Sequence, residues 1–151
     1  MTTLGTFGII LILSRKGFES DTISDFAGLN KRSPVYAGIM AMCLLSLAGI
    51  PPFVGFYAKF AVLQSLVATG TGFGMGLAIF AVLMSLVGAF YYIRLIKVMY
   101  FDAPTNMEPI TAPHDARFVL GLNAALLLLV GIFPNGLMSI CTFAMKALIG
   151  I

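Results

Sequence analysis

Residues Pro34 to Ala68 form a run of 35 residues with a single charged side chain, Lys59. As one straight helix the run would measure about 52 Å, against roughly 30 Å for the hydrocarbon core of a bilayer. The tetrapeptide Gly49-Ile50-Pro51-Pro52 interrupts it near the middle. Each proline lacks a backbone N–H and crowds the carbonyl four residues earlier, here Leu47 and Ala48. Each also pushes its preceding residue out of helical geometry. The run is therefore expected to be a broken helix with two stranded carbonyls at the break.

Composition says where such a helix can live. Of 151 residues, 60% are hydrophobic and 10% charged, with a mean hydropathy of +1.02. Soluble domains carry about 25% charged residues. A water-soluble fold of this size has too little interior to hide so much apolar surface. A soluble enzyme, a nucleic-acid-binding module and a disordered tail are excluded on this ground. An integral membrane protein is indicated.

The remaining apolar runs supply the other spans. Met1 to Ser14 is too short to cross at about 21 Å. Its basic residues, Arg15 and Lys16, follow the apolar part, whereas a signal peptide has them in front. It reads as a transmembrane helix whose beginning is missing, which makes the chain a C-terminal fragment. A polar loop, Arg15–Ser33, comes next, in which Asp21, Ser24 and Asp25 are candidates to cap a short interfacial helix. Pro34 suits the first turn of the helix after it. Phe73 to Ile93 is a clean span of about 31 Å. In it, Ala81, Ser85 and Ala89 form a small-residue stripe that lets another helix approach closely. Tyr91, Tyr92, Arg94, Lys97 and Tyr100 make an aromatic and basic belt at its end. After an irregular loop, Phe101–Asp115, the last span runs from Ala116 to about Phe133 and is stopped by Pro134-Asn135-Gly136. The tail Leu137–Ile151 is expected at the far interface.

Four Lys/Arg lie in Arg15–Ser33, none in Thr69–Gly72, and three between Arg94 and Arg117. Counting Pro34–Ala68 as one discontinuous crossing puts both basic loops on the same side, as the positive-inside rule prefers. The expected fold is thus all-α: a single polytopic membrane domain over 1–151, a helix bundle of about four transmembrane segments, one of them discontinuous.

Chemistry centres on Lys59. Every other charge sits in a loop or near a segment end. An ammonium at membrane depth costs about 2.5–3.5 kcal/mol on insertion scales. Removal from water disfavours its charged form and nearby acceptors restore it, so an amine balanced between the two can take up and release a proton. Non-helical backbone survives at that depth only inside protein or beside water, and broken helices accompany ion sites in transporters. Gly55, one turn before Lys59, leaves room beside the amine, and Ser46, Tyr57 and Gln64 are candidates to hold water there. The plainer alternative is that Lys59 snorkels to an interface. It stands nine residues from Ala68, about 13 Å along a helix.

Other candidates are weaker. No carboxylate lies in any span. Cys43 and Cys141 sit in apolar runs and read as small fillers, and no metal site is indicated. His114 reads as solvated. The spacing of Gly70, Gly72, Gly74 and Gly76 does not match a dinucleotide-binding fingerprint.

The stretch Ser46-Leu47-Ala48-Gly49-Ile50-Pro51-Pro52-Phe53-Val54-Gly55-Phe56-Tyr57-Ala58-Lys59-Phe60 resembles the broken-helix motif of the antiporter-like membrane subunits of respiratory complex I. Gly88-Ala89-Phe90-Tyr91-Tyr92-Ile93-Arg94 and Asp25-Phe26-Ala27-Gly28-Leu29 narrow the resemblance to the subunit N family of bacterial NADH:quinone oxidoreductase. The likeness covers essentially the whole chain. It implies roughly the last third of a longer subunit that helps couple electron transfer from NADH to quinone to proton pumping. Lys59 matches the family's broken-helix lysine, a proton relay in the exit half of a channel. Gly49, Pro51, Pro52 and Gly55 match the break. The family's intramembrane glutamate and central lysines would lie in helices outside this chain. NAD, FMN, iron–sulfur clusters and quinone would belong to partner subunits, with no cofactor here. The implied partners are the other membrane subunits and the lipid bilayer, not nucleic acid, in a bacterial cytoplasmic membrane. The lysine motif is shared with multisubunit cation/proton antiporters, which stay open as an alternative, as does a non-catalytic assembly subunit.

Overall fold

Helices form wherever the apolar runs lack proline, and glycines and prolines mark their ends. The computed structural model describes residues 1–14, 22–104, 110 and 114–149. Among them there is no strand, and the helices are α1 (Thr2–Leu13), α2 (Leu29–Arg32), α3 (Pro34–Ala48), α4 (Val54–Ala68), α5 (Gly72–Phe101), α6 (His114–Ile132) and α7 (Pro134–Ile149).

α3 is the hub. Tyr36, Ala37, Met40, Cys43 and Leu44 are buried on it. They join Ile9 and Leu13 of α1, Leu29 of α2, Met99 of α5 and Leu120, Ala124 and Leu127 of α6 in one core. Close backbone approach makes this possible at Gly5. A Cβ there would come within 2.6 Å of Cys43 Sγ and 2.7 Å of Asn123 Nδ2. The loop before α2 is tied to the same core. Thr22 opens a 3-10 turn, Ile23–Phe26, donating from its backbone N and its hydroxyl to Asp25 Oδ2 at 2.9 and 2.8 Å. Asp25 takes part in capping, as expected, with Thr22 as the N-cap, and the Ser24 hydroxyl lies 2.7 Å from that of Thr22. Asp21 lies outside the described residues. Gly28, at φ 63°, then donates to the Val98 carbonyl of α5 at 3.2 Å.

α4 buries none of its residues and leans on α5 and α6. α5 and α6 are long and apolar enough to cross a membrane by themselves, whereas α1, α3 and α4 are shorter apolar helices. Most of α5 faces outward. Phe73 and Leu86 are 82% and 67% exposed, a surface suited to lipid or to further protein rather than to water.

Two boundaries differ from the sequence reading. The helix expected to end at Ile93 runs on to Phe101, 30 residues in all from Gly72, so Arg94 and Lys97 ride on a helix and not in a loop. The aromatic and basic belt contains no glycine or proline, and nothing stops the helix before Pro104. The tail past Ile132 is itself a helix of 16 residues. α6 ends at Ile132, just before Pro134, as expected, and Pro134 also starts the next helix, because a proline costs little in a first turn, where the N–H has no helical partner. Cys43 is a fully buried filler, but Cys141 on α7 is exposed. His114 is exposed at the start of α6.

A lysine-capped helix break as the candidate functional site

The break is built from the end of α3. Four C-terminal carbonyls of a helix lack helical partners. Gly49 takes the left-handed conformation, φ 81° and ψ 37°, which only glycine adopts cheaply. This lets Ile50 N–H reach the Leu45 carbonyl and Gly49 N–H the Ser46 carbonyl, both at 3.1 Å. That pair of bonds is a Schellman closure. It leaves the carbonyls of Leu47 and Ala48, the two that the prolines were expected to strand.

Lys59 fills both vacancies. Its Nζ donates to Leu47 O at 3.0 Å and to Ala48 O at 2.8 Å. The third N–H goes to Ser85 Oγ on α5 at 2.8 Å. An ammonium has three donors and no acceptor, so its valence is full. It also sits at the negative end of the α3 dipole, which favours a cation. The amine therefore points inward at the break and does not snorkel towards the Ala68 end of α4.

Glycines make the approach possible. A Cβ on Gly49 would stand 2.7 Å from Lys59 Cδ and 3.1 Å from Nζ, so the lysine stem lies directly over this residue. A Cβ on Gly55 would overlap the Ser46 carbonyl oxygen where α4 begins against α3. Gly55 N–H is held there by Ser46 Oγ at 3.3 Å. From the other side, a Cβ on Gly131 of α6 would overlap the Pro52 carbonyl oxygen and come within 2.9 Å of Phe53 Cα. The turn itself, through Pro51 and a cis Pro51–Pro52 peptide, is closed by Phe53 N–H on the Ile50 carbonyl at 3.2 Å.

The structure thus gathers Lys59, Gly49, Pro51, Pro52 and Gly55 in one place. Ser46 belongs to the same node but serves the backbone of α4, not the amine. Tyr57 packs edge-on against Phe56, and Gln64 is exposed; neither is a partner of the amine. Two residues escaped the sequence reading. Ser85 looked like part of a packing stripe, although it is the only hydroxyl between Phe73 and Phe90. Gly131 carried no local signal, because its role depends on which turn α6 meets. A groove of about 800 Å³ opens beside the node between α4 and α5. Of the side chains lining it, only Lys59 and Ser85 are polar.

Comparison with known proteins gives a consistent pattern. The model of a family described as NADH:quinone oxidoreductase/Mrp antiporter, TM, matches residues 1–85. The chain is 58% identical over 151 residues to NADH-quinone oxidoreductase subunit N of Polaromonas naphthalenivorans (strain CJ2), covering 99% of this chain and 30% of that one. To subunit N of Methylovorus glucosotrophus (strain SIP3-4) it is 56% identical, over 95% of this chain and 29% of that one. This chain therefore spans a little under a third of the length of these relatives. Among solved structures it is similar to a chain of respiratory complex I from Thermus thermophilus with bound aureothin. The TM-score there is 0.66 and the identity 26%, over 75% of this chain and 26% of the other.

Proposed function

This chain belongs to the NADH:quinone oxidoreductase/Mrp antiporter transmembrane family, and on that premise we propose that it is part of a subunit N that moves protons across a bacterial cytoplasmic membrane. It does so within a complex that passes electrons from NADH to quinone. α3 and α4 together form one discontinuous crossing, and Lys59 is the proton-carrying group. NAD, FMN, iron–sulfur clusters and quinone are held by partner subunits, and this chain contributes part of the proton path.

The carrying observation is the amine's inward position, bonded to Leu47 O, Ala48 O and Ser85 Oγ at the break. Two carbonyls and a helix dipole hold the ammonium form. A cation arriving nearby, or a carboxylate becoming neutral, weakens that hold and releases the proton. A carboxylate gaining charge restores it. Electrostatic changes in adjoining helices can therefore load and unload this one site.

The full valence of the amine also favours a second reading, in which Lys59 is a permanent cap that only closes the broken helix. Two replacements in the full-length subunit, within its assembled complex, separate the two. Lys59→Met removes both cap and proton. Lys59→Arg keeps charge and donors but does not deprotonate in proteins. Relay predicts that both lower the protons moved per NADH oxidised. An unchanged ratio in Lys59→Arg would leave only the cap. The antiporter branch of the family would need no NADH oxidation, and copurification with peripheral redox subunits distinguishes it.

A further inference from the structure

The geometry points to Ser85 as the residue through which Lys59 exchanges its proton, a role that rests on the relay reading above. The three partners of the amine are not equivalent. The carbonyls of Leu47 and Ala48 can only accept a hydrogen bond, and neither carries a proton. They can hold two N–H groups of the amine whether it is charged or neutral. Once the amine is neutral its lone pair needs a donor, and neither carbonyl can supply one.

Ser85 is different in kind. Its hydroxyl both accepts and donates, and it rotates to suit. Facing the ammonium at 2.8 Å, Ser85 Oγ accepts. Facing the neutral amine, the same oxygen turns its proton inward and donates. It is thus the one partner able to accept from the charged amine and donate to the lone pair of the neutral one, while the two remaining N–H groups stay on the carbonyls.

The same property gives the proton a way out. An ammonium N–H passes its proton to Ser85 Oγ as the hydroxyl releases its own to a water molecule on the groove side. The N–H bond of Lys59 and the O–H bond of Ser85 break while a new Ser85 O–H and a hydronium O–H form. Serine ends as it began, lysine ends neutral, and one positive charge has moved to water. Uptake is the reverse. Ser85 and Lys59 are the two polar side chains lining the groove, so a water entering it bonds to this pair and to no other side chain.

Ser85→Ala in the full-length subunit within its assembled complex tests the assignment. Alanine keeps the Ala81–Ser85–Ala89 stripe small, so packing is preserved while the hydroxyl is lost. Protons moved per NADH oxidised are measured beside wild type and Lys59→Met, with the amount of subunit in the purified complex read separately. The expected result is that Ser85→Ala loses most of the difference between wild type and Lys59→Met, and that Ser85→Thr, which retains a hydroxyl, regains it. Should Ser85→Ala not assemble, Ser85→Gly carries the same test with a still smaller stripe. A wild-type ratio in Ser85→Ala beside a lowered one in Lys59→Met overturns the role of Ser85 and leaves the relay standing. A wild-type ratio in Lys59→Met overturns the relay, and the role of Ser85 with it.

Discussion

Replacing Gly49 by alanine should disturb the site through two separable routes. The first is the backbone. At φ 81° an L side chain costs about 1–2 kcal/mol. The second runs through Lys59. The new Cβ would lie 2.7 Å from Lys59 Cδ. The stem is flexible, so it swings aside and the crowding itself is cheap. What is lost is the amine's position over Leu47 O and Ala48 O. A hydrogen bond to a charged group contributes about 1.5–3 kcal/mol, and Lys59 is only half-buried, so the lower end applies. Gly49→Ala should then cost roughly 2.5–3.5 kcal/mol in the native background but only about 1–2 kcal/mol in a Lys59→Met background, where there is no amine to displace. The assay is a double-mutant cycle on the full-length subunit in detergent micelles, unfolded by titration with SDS and followed by circular dichroism. Simple additivity, to within about 0.5 kcal/mol, would refute the claim that Gly49 acts on the amine.

Two further outcomes follow from close approach elsewhere. Gly131→Ala should push the Pro52–Phe53 turn off α6 and destabilise the subunit by about 1–3 kcal/mol, because backbone faces backbone on both sides. Gly121→Ala on the same helix meets nothing within 4 Å and should be neutral or slightly stabilising in the same SDS titration; equal effects at the two positions would contradict the geometry. Cys43, with no exposed surface, should resist maleimide in the folded subunit and react only once SDS has unfolded it, and rapid labelling of the native form would mean that α1, α3 and α6 do not pack as described.

Much of the site was legible from local rules. The double proline identified which carbonyls would be stranded, and the lone mid-span charge identified the group that now caps them. What local rules could not supply was proximity. Ser85 stands 26 positions from Lys59, and Gly131 sits three helices beyond the turn it accommodates. Such partners follow from how helices pack, which spacing along one helix does not encode. The boundaries of α5 and α7 were misplaced for another reason. Arg94 and Lys97 are good helix formers that happen to be charged, and Pro134 stops one helix only by starting the next. Treating charge and proline as punctuation overlooked that both are compatible with helix in those settings.

Because two of the three groups around the Lys59 amine are main-chain oxygens, no point substitution can delete them. The identities of Leu47 and Ala48 are in that respect free to drift, provided the helix still terminates where it does. The genetic burden of keeping the amine in place falls instead on Gly49, which permits the termination, and on the lysine itself. A half-site written in backbone atoms is shielded from most single-codon changes at its own positions, and its weak points lie where side chains must be absent.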